Sequence, residues 1–137
     1  MTQLHGSCRC EAVSYSVSSA PVNVVNCHCN MCRSMSGNAF GSYVVVRDSD
    51  CVIEGAENLT KYAVTERATK HFCSRCGTSV FNTNPSTYPG VFILYLGTVI
   101  GNEQLQPQVN IFCESMLPWV KQLSTIKSFA GAPRVGT

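Results

Sequence analysis

Charge is scarce in this sequence: Asp, Glu, Lys and Arg make up 13% of its 137 residues, about half the usual share. A surface so poor in charge fits a chain that is partly covered by a partner, as in a homodimer. No run of Lys or Arg occurs anywhere, so the electrostatic footprint of a nucleic-acid binder is missing. There is no acidic tail either. Long apolar runs are also absent. The longest mainly apolar stretch, residues 91–100, contains Gly97 and Thr98 and is too short to cross a bilayer. Residues 1–7 have neither the basic start nor the apolar segment of a secretory signal. Nucleic acid and membrane are thereby set aside, and a cytoplasmic location is expected.

Hydrophobic residues reach 45%, enough for one core in a single domain over residues 1–137. The period of the apolar residues is that of strands. Residues 12–17 alternate apolar and polar, while 22–26 and 39–46 are β-branched and aromatic. Shorter strands are expected at 52–54, 59–64, 71–73 and 79–82, with stronger ones at 91–96 and 109–114. Helix is scarce. Residues 30–36 read as about two turns closed by Gly37, and 118–122 as one more short turn. A mostly β fold follows. No repeat or linker divides it, and the Gly/Pro-containing residues 130–137 read as a loose tail.

What the chain has in excess is cysteine, nine in all. In an intracellular protein that number points to metal or redox chemistry more than to disulfides. One group joins Cys8-Arg9-Cys10 to Cys73-Ser74-Arg75-Cys76-Gly77. C-x-x-C-G is a zinc-knuckle pattern in which a tight turn offers two sulfurs and glycine permits the left-handed backbone that closes it. A closed structural site needs four ligands, and the Cys8/Cys10 pair, on one face of a strand edge, supplies the other two. Paired disulfides or buried reduced thiols are the alternatives.

The second group is Cys27-His28-Cys29-Asn30-Met31-Cys32. Three thiolates within six positions reach one ion, with Cys32 entering from the first turn of the short helix. Three protein ligands and an open fourth position mark a reactive rather than a structural zinc. Such a soft site accepts a thiolate as its fourth ligand and holds it ionised near neutral pH. His28 closing the shell, or a structural role with a ligand from elsewhere, are the alternatives. With two Zn²⁺ bound to seven thiolates, the formal charge of +2 becomes about −1. Cys51 and Cys113 stand alone in strand-like sequence and read as small buried residues. His5 and His71 read as structural, with His71 placed to lie near the metal held by Cys73.

These motifs resemble the glutathione-dependent formaldehyde-activating enzyme family, carbon–sulfur lyases of the Mss4-like or β-tent fold. Residues 6–10, 27–33 through Gly37, 72–78 and 111–119 carry the likeness and fall in the family's order. The resemblance implies that Cys8, Cys10, Cys73 and Cys76 hold a structural zinc and Cys27, Cys29 and Cys32 a catalytic one. It implies that glutathione engages the second site and that its sulfur combines with formaldehyde to give S-hydroxymethylglutathione. Zinc would act there as a Lewis acid on the thiolate.

Two positions depart from the family pattern. Glu11 stands where glycine often follows the first C-x-C, and Asn110 stands where a His-Ile pair is common. An amide does not titrate, so Asn110 replaces no acid or base. Arg33 and Lys70 are candidate contacts for glutathione's carboxylates, Trp119 and Phe40 for an apolar wall, and Glu11, Glu66 and Glu114 for a general base. Two rival readings remain: a non-enzymatic Mss4-like protein-interaction module, and a thiol-redox enzyme using Cys51 or Cys113.

Overall fold

A computed structural model describes residues 4–133. The chain is mostly β, as expected, with ten strands and one α-helix among the described residues. The strands are β1 Leu4–Ser7, β2 Ser14–Val17, β3 Asn23–Cys27, β4 Gly41–Arg47, β5 Cys51–Glu54, β6 Leu59–Ala63, β7 Thr69–Cys73, β8 Ser79–Thr83, β9 Val91–Tyr95 and β10 Val109–Ile111. The helix, α1, spans Asn30–Ser36.

Two sheets form. The smaller has the order β1-β2-β5; the larger, of seven strands, runs β10-β3-β4-β9-β8-β7-β6. All pairings are antiparallel except that of β10 with β3. Alternation along β4 divides the interior, because successive side chains of a strand point to opposite faces. Val44 and Val46 are fully buried in one core with Val13, Val17, Val80 and Leu94, between the two sheets. Tyr43, from the same strand, belongs to a second cluster with Val25, Cys27, Cys32 and Tyr95. Cys8 and Cys73 lie in the first core. Each cysteine group therefore has its own core.

Several elements differ from expectation. β1, with only four residues and including His5 and Gly6, carries too little pattern to read from sequence. Ala12 and Val13 belong to the bend before β2. The expected strand over 109–114 stops at Ile111, because Phe112 adopts φ 56 and a 3-10 turn follows over Cys113–Ser115. The turn expected at 118–122 extends through Thr125, with a kink at Gln122. Of the expected loose tail, residues 134–137 lie outside the described residues. Among the described residues no helix is long and apolar enough to cross a membrane.

Candidate metal centres

The first cysteine group is assembled from two tight turns. Cys8 follows β1, and the chain reverses at once: Glu11 N–H donates to Cys8 O (3.1 Å) and Cys8 N–H to Val13 O (2.9 Å). Cys8 and Cys10 thus sit in a turn, not along a strand edge as expected. The reversal puts Val13 N–H against Cys8 Sγ at 3.3 Å. Cys73 ends β7, and its turn closes through Gly77, at φ 78, whose N–H donates to Cys73 O at 2.8 Å. Arg75 N–H points at Cys73 Sγ from 3.3 Å. Thr78 ties the turns together, accepting from Arg9 N–H at 3.1 Å.

The sulfurs of Cys8, Cys10, Cys73 and Cys76 lie within 4.8 Å of one another. Cys8 to Cys10 and Cys10 to Cys73 are both 3.7 Å. Four sulfurs around a tetrahedral zinc, each about 2.3 Å from the ion, stand about 3.8 Å apart, whereas a disulfide would need about 2 Å. The donor set fits zinc, and all nine cysteines are free. The Thr78 hydroxyl and backbone amides hold the Cys76 thiol down at about 5, which favours the thiolate that a metal requires.

The second group forms where β3 meets α1. Cys27 ends β3, Cys29 caps α1 with its sulfur accepting from Cys32 N–H at 3.2 Å, and Cys32 lies in the first turn. Gly37, at φ 74, ends the helix as expected. The three sulfurs lie within 4.8 Å of one another, a spacing that a small contraction brings to a zinc's trigonal base. Cys27 and Cys32 are buried, and Cys29 is partly exposed. The Cys32 thiol beside it holds Cys27 down at about 6, while Cys32, its sulfur facing Cys27 in a buried site, is raised.

His28 is not part of this cluster. Its side chain is buried, its ring packs on Phe40 at 4.9 Å, and its Nε2 meets Asn110 Oδ1 at 3.1 Å. That oxygen also accepts from Asn26 Nδ2 (3.2 Å), and Asn26 Oδ1 accepts from Ser42 (2.7 Å). Asn110 orients His28, a role sequence reasoning missed because it depends on the pairing of β10 with β3.

The structure redraws other expectations. Arg33 is not free for a carboxylate: its guanidinium donates to His28 O (2.8 Å), to Ser115 O and to Asn30 Oδ1. It fastens α1 to the turn after β10. Lys70 donates to Met35 O at 2.7 Å, at the edge of an open cleft of about 780 Å³ lined by Met31, Ser34, Met35 and Tyr62. Phe40 covers His28, and Trp119 is exposed. Cys113 is exposed, not buried, because the chain has left the sheet at Phe112. Cys51 is half-buried, and burial and nearby Asp48 push its thiol up to about 11. His71 stacks on Phe81 at 4.1 Å and pairs with Thr83 at 3.1 Å. Burial, together with Lys61, holds it neutral at about 4. Glu11, Glu66 and Glu114 are all exposed. Of these, Glu114 adjoins Ser115 and so lies in the segment that Arg33 ties to the second group.

A mostly β chain with one four-cysteine and one three-cysteine cluster is thus the kind of protein the fold and sites define. Residues 3–115 match the family model described as Glutathione-dependent formaldehyde-activating enzyme, and the chain belongs to that family. A Halomonas elongata protein named "Putative glutathione-dependent formaldehyde-activating enzyme" is 30% identical, over 95% of this chain and 88% of its own length. A Schizosaccharomyces pombe protein described as an uncharacterized lyase is 27% identical over 59% of this chain and 58% of its own. A crystal structure of a Rhodobacter sphaeroides protein superposes with a TM-score of 0.57 at 27% identity, covering 77% of this chain and 97% of that one.

Proposed function

We propose that this chain is a single-domain, zinc-dependent carbon–sulfur lyase or synthase that acts on a glutathione adduct, forming S-hydroxymethylglutathione from glutathione and formaldehyde. The carrying observation is the second cluster: three sulfurs converge there, two buried and Cys29 partly exposed, while His28 is held away by Asn110. Cys8, Cys10, Cys73 and Cys76 would hold a structural zinc, and Cys27, Cys29 and Cys32 a catalytic one with room for an external thiol. Bound there, zinc would supply Lewis-acid chemistry that keeps a thiol ionised near neutral pH. The family and the relatives' names, which mention glutathione, formaldehyde and lyase, support the substrate class.

In the reaction a C–S bond forms as the formaldehyde C=O π bond breaks, and the thiol's proton ends on the new hydroxyl. The protein's part is to converge the sulfurs. Cys32 N–H holds Cys29 Sγ, and Arg33 anchors the helix that carries Cys32.

The test is zinc per chain in protein purified under reducing conditions, for the unaltered chain and Cys29→Ser, with exchange of formaldehyde onto glutathione followed by NMR. About two zincs and accelerated exchange are expected, falling to about one zinc and background exchange in Cys29→Ser. Two zincs in both proteins, or exchange untouched by the substitution, would refute the proposal.

A further inference from the structure

Among the described residues three buried polar side-chain atoms have no hydrogen-bond partner: Ser19 Oγ, His28 Nδ1 and the Tyr43 hydroxyl. Tyr43 packs in the same cluster as Cys27 and Cys32. It is 2% exposed, and buried polar groups without partners are rare and call for an explanation.

Local geometry explains where the hydroxyl points. Tyr43 lies on β4 across from Val25 of β3, and Gly41, two residues earlier on the same face, lies across from Cys27. The phenol leans back over that glycine: a Cβ at residue 41 would fall 2.4 Å from the hydroxyl oxygen. Any residue but glycine would evict it. The ring is steadied from the other side by Tyr95, edge-on at 5.1 Å. The hydroxyl is thereby carried to the cysteine end of the strand, into the cluster that holds Cys32 and the Tyr95 ring. A neutral thiol is a weak acceptor, whereas a metal-bound thiolate is a strong one.

We infer that Tyr43 is a positioning residue whose O–H is reserved for the Cys32 sulfur once that sulfur binds metal. This rests on the reading of the second cluster as a zinc site. The hydrogen bond withdraws charge from one ligand and fixes its orientation, as partners of metal ligands do elsewhere. It leaves the ion a better acceptor for an incoming thiol.

The test compares unaltered protein, Tyr43→Phe and Tyr95→Phe, all fully loaded with zinc, by release of zinc to a chromogenic chelator. The unaltered protein should release its metal in two phases, fast from the second cluster and slow from the first. Tyr43→Phe, which keeps the ring and loses one oxygen, should speed the fast phase by about tenfold or more and leave the slow phase alone. Tyr95→Phe, whose lost hydroxyl donates to Asn82 at 3.1 Å and also lies against that of Tyr43, should speed the fast phase far less than Tyr43→Phe does and leave the slow phase alone. A second measurement needs no variant: the near-ultraviolet tyrosine band of the unaltered protein should move to longer wavelength as the second zinc binds. Two phases with Tyr43→Phe indistinguishable from the unaltered chain, or a tyrosine band that ignores the second zinc, would overturn the inference alone. A single slow phase from the unaltered protein would overturn the zinc reading and the inference together.

Discussion

Glu11 holds a backbone conformation that glycine takes more easily, at φ 65 in the turn that brings Cys8 and Cys10 together. Its N–H is needed there, donating to Cys8 O. An L-residue in this region costs about 1–2 kcal/mol, offset in part by the entropy that glycine would lose on folding. Glu11→Gly should therefore stabilise the folded protein by about 0.5–1 kcal/mol, read as a higher urea midpoint with an unchanged slope. At this scale the sequence was eloquent where chemistry depends on residue type and short spacing. Seven cysteines fall into the two clusters their spacing suggested. It was silent where a side chain matters through a neighbour far along the chain. Nothing around Tyr43 marks it, because it lies across from the Cys27 strand, and Asn110 stood out only as a departure from the family pattern, its reach to His28 being unreadable from residue 110.

Among the elements, α1 was legible from end to end. Its extent, residues 30–36, and its stop at Gly37 rest on local signals, whereas the Cys29 cap shows only in the structure. What could not be read is how the helix is held. Arg33 looked like a contact for substrate carboxylates, yet its donors are used by His28 O, Ser115 O and Asn30 Oδ1. Hydrogen bonds from a charged group contribute roughly 1.5–3 kcal/mol each, and those of one side chain are not additive. Arg33→Ala should thus destabilise the protein by about 2–4 kcal/mol in thermal or urea unfolding, equally with and without glutathione. A loss confined to glutathione affinity, with stability unchanged, would return Arg33 to a substrate role. Strand boundaries were also only partly legible. Phe112 looks like the continuation of a strand, but its left-handed backbone turns the chain away.

For the whole molecule, the first cysteine group joins β1 to β7 across some sixty residues, and two of its members, Cys8 and Cys73, are fully buried in the core between the sheets. Closing a loop of that length is an entropic cost that the unfolded chain does not bear, and a metal bound only by the folded state would offset it. On the zinc reading proposed above, Cys73→Ser should therefore lower the unfolding midpoint of the entire chain. Cys29→Ser should spare the fold. Equal loss of stability in the two variants, measured by circular dichroism on heating, would contradict this division of labour. The mostly β class was legible from alternation, whereas the split of β4 between two cores was not. That split needs the partner strands, not the strand itself.

The parallel pairing of β10 with β3 has a consequence for how the protein is made. Val109–Ile111 lies beside Val25–Cys27, and Ile111 O receives His28 N–H. A ribosome delivers the chain from its N-terminus, so the three sulfurs emerge long before the strand that flanks them. During synthesis the nascent chain presents an unwalled thiol cluster until residue 111 has cleared the exit tunnel. The order of emergence leaves the last strand to wall in three sulfurs that the first third of the chain already carries.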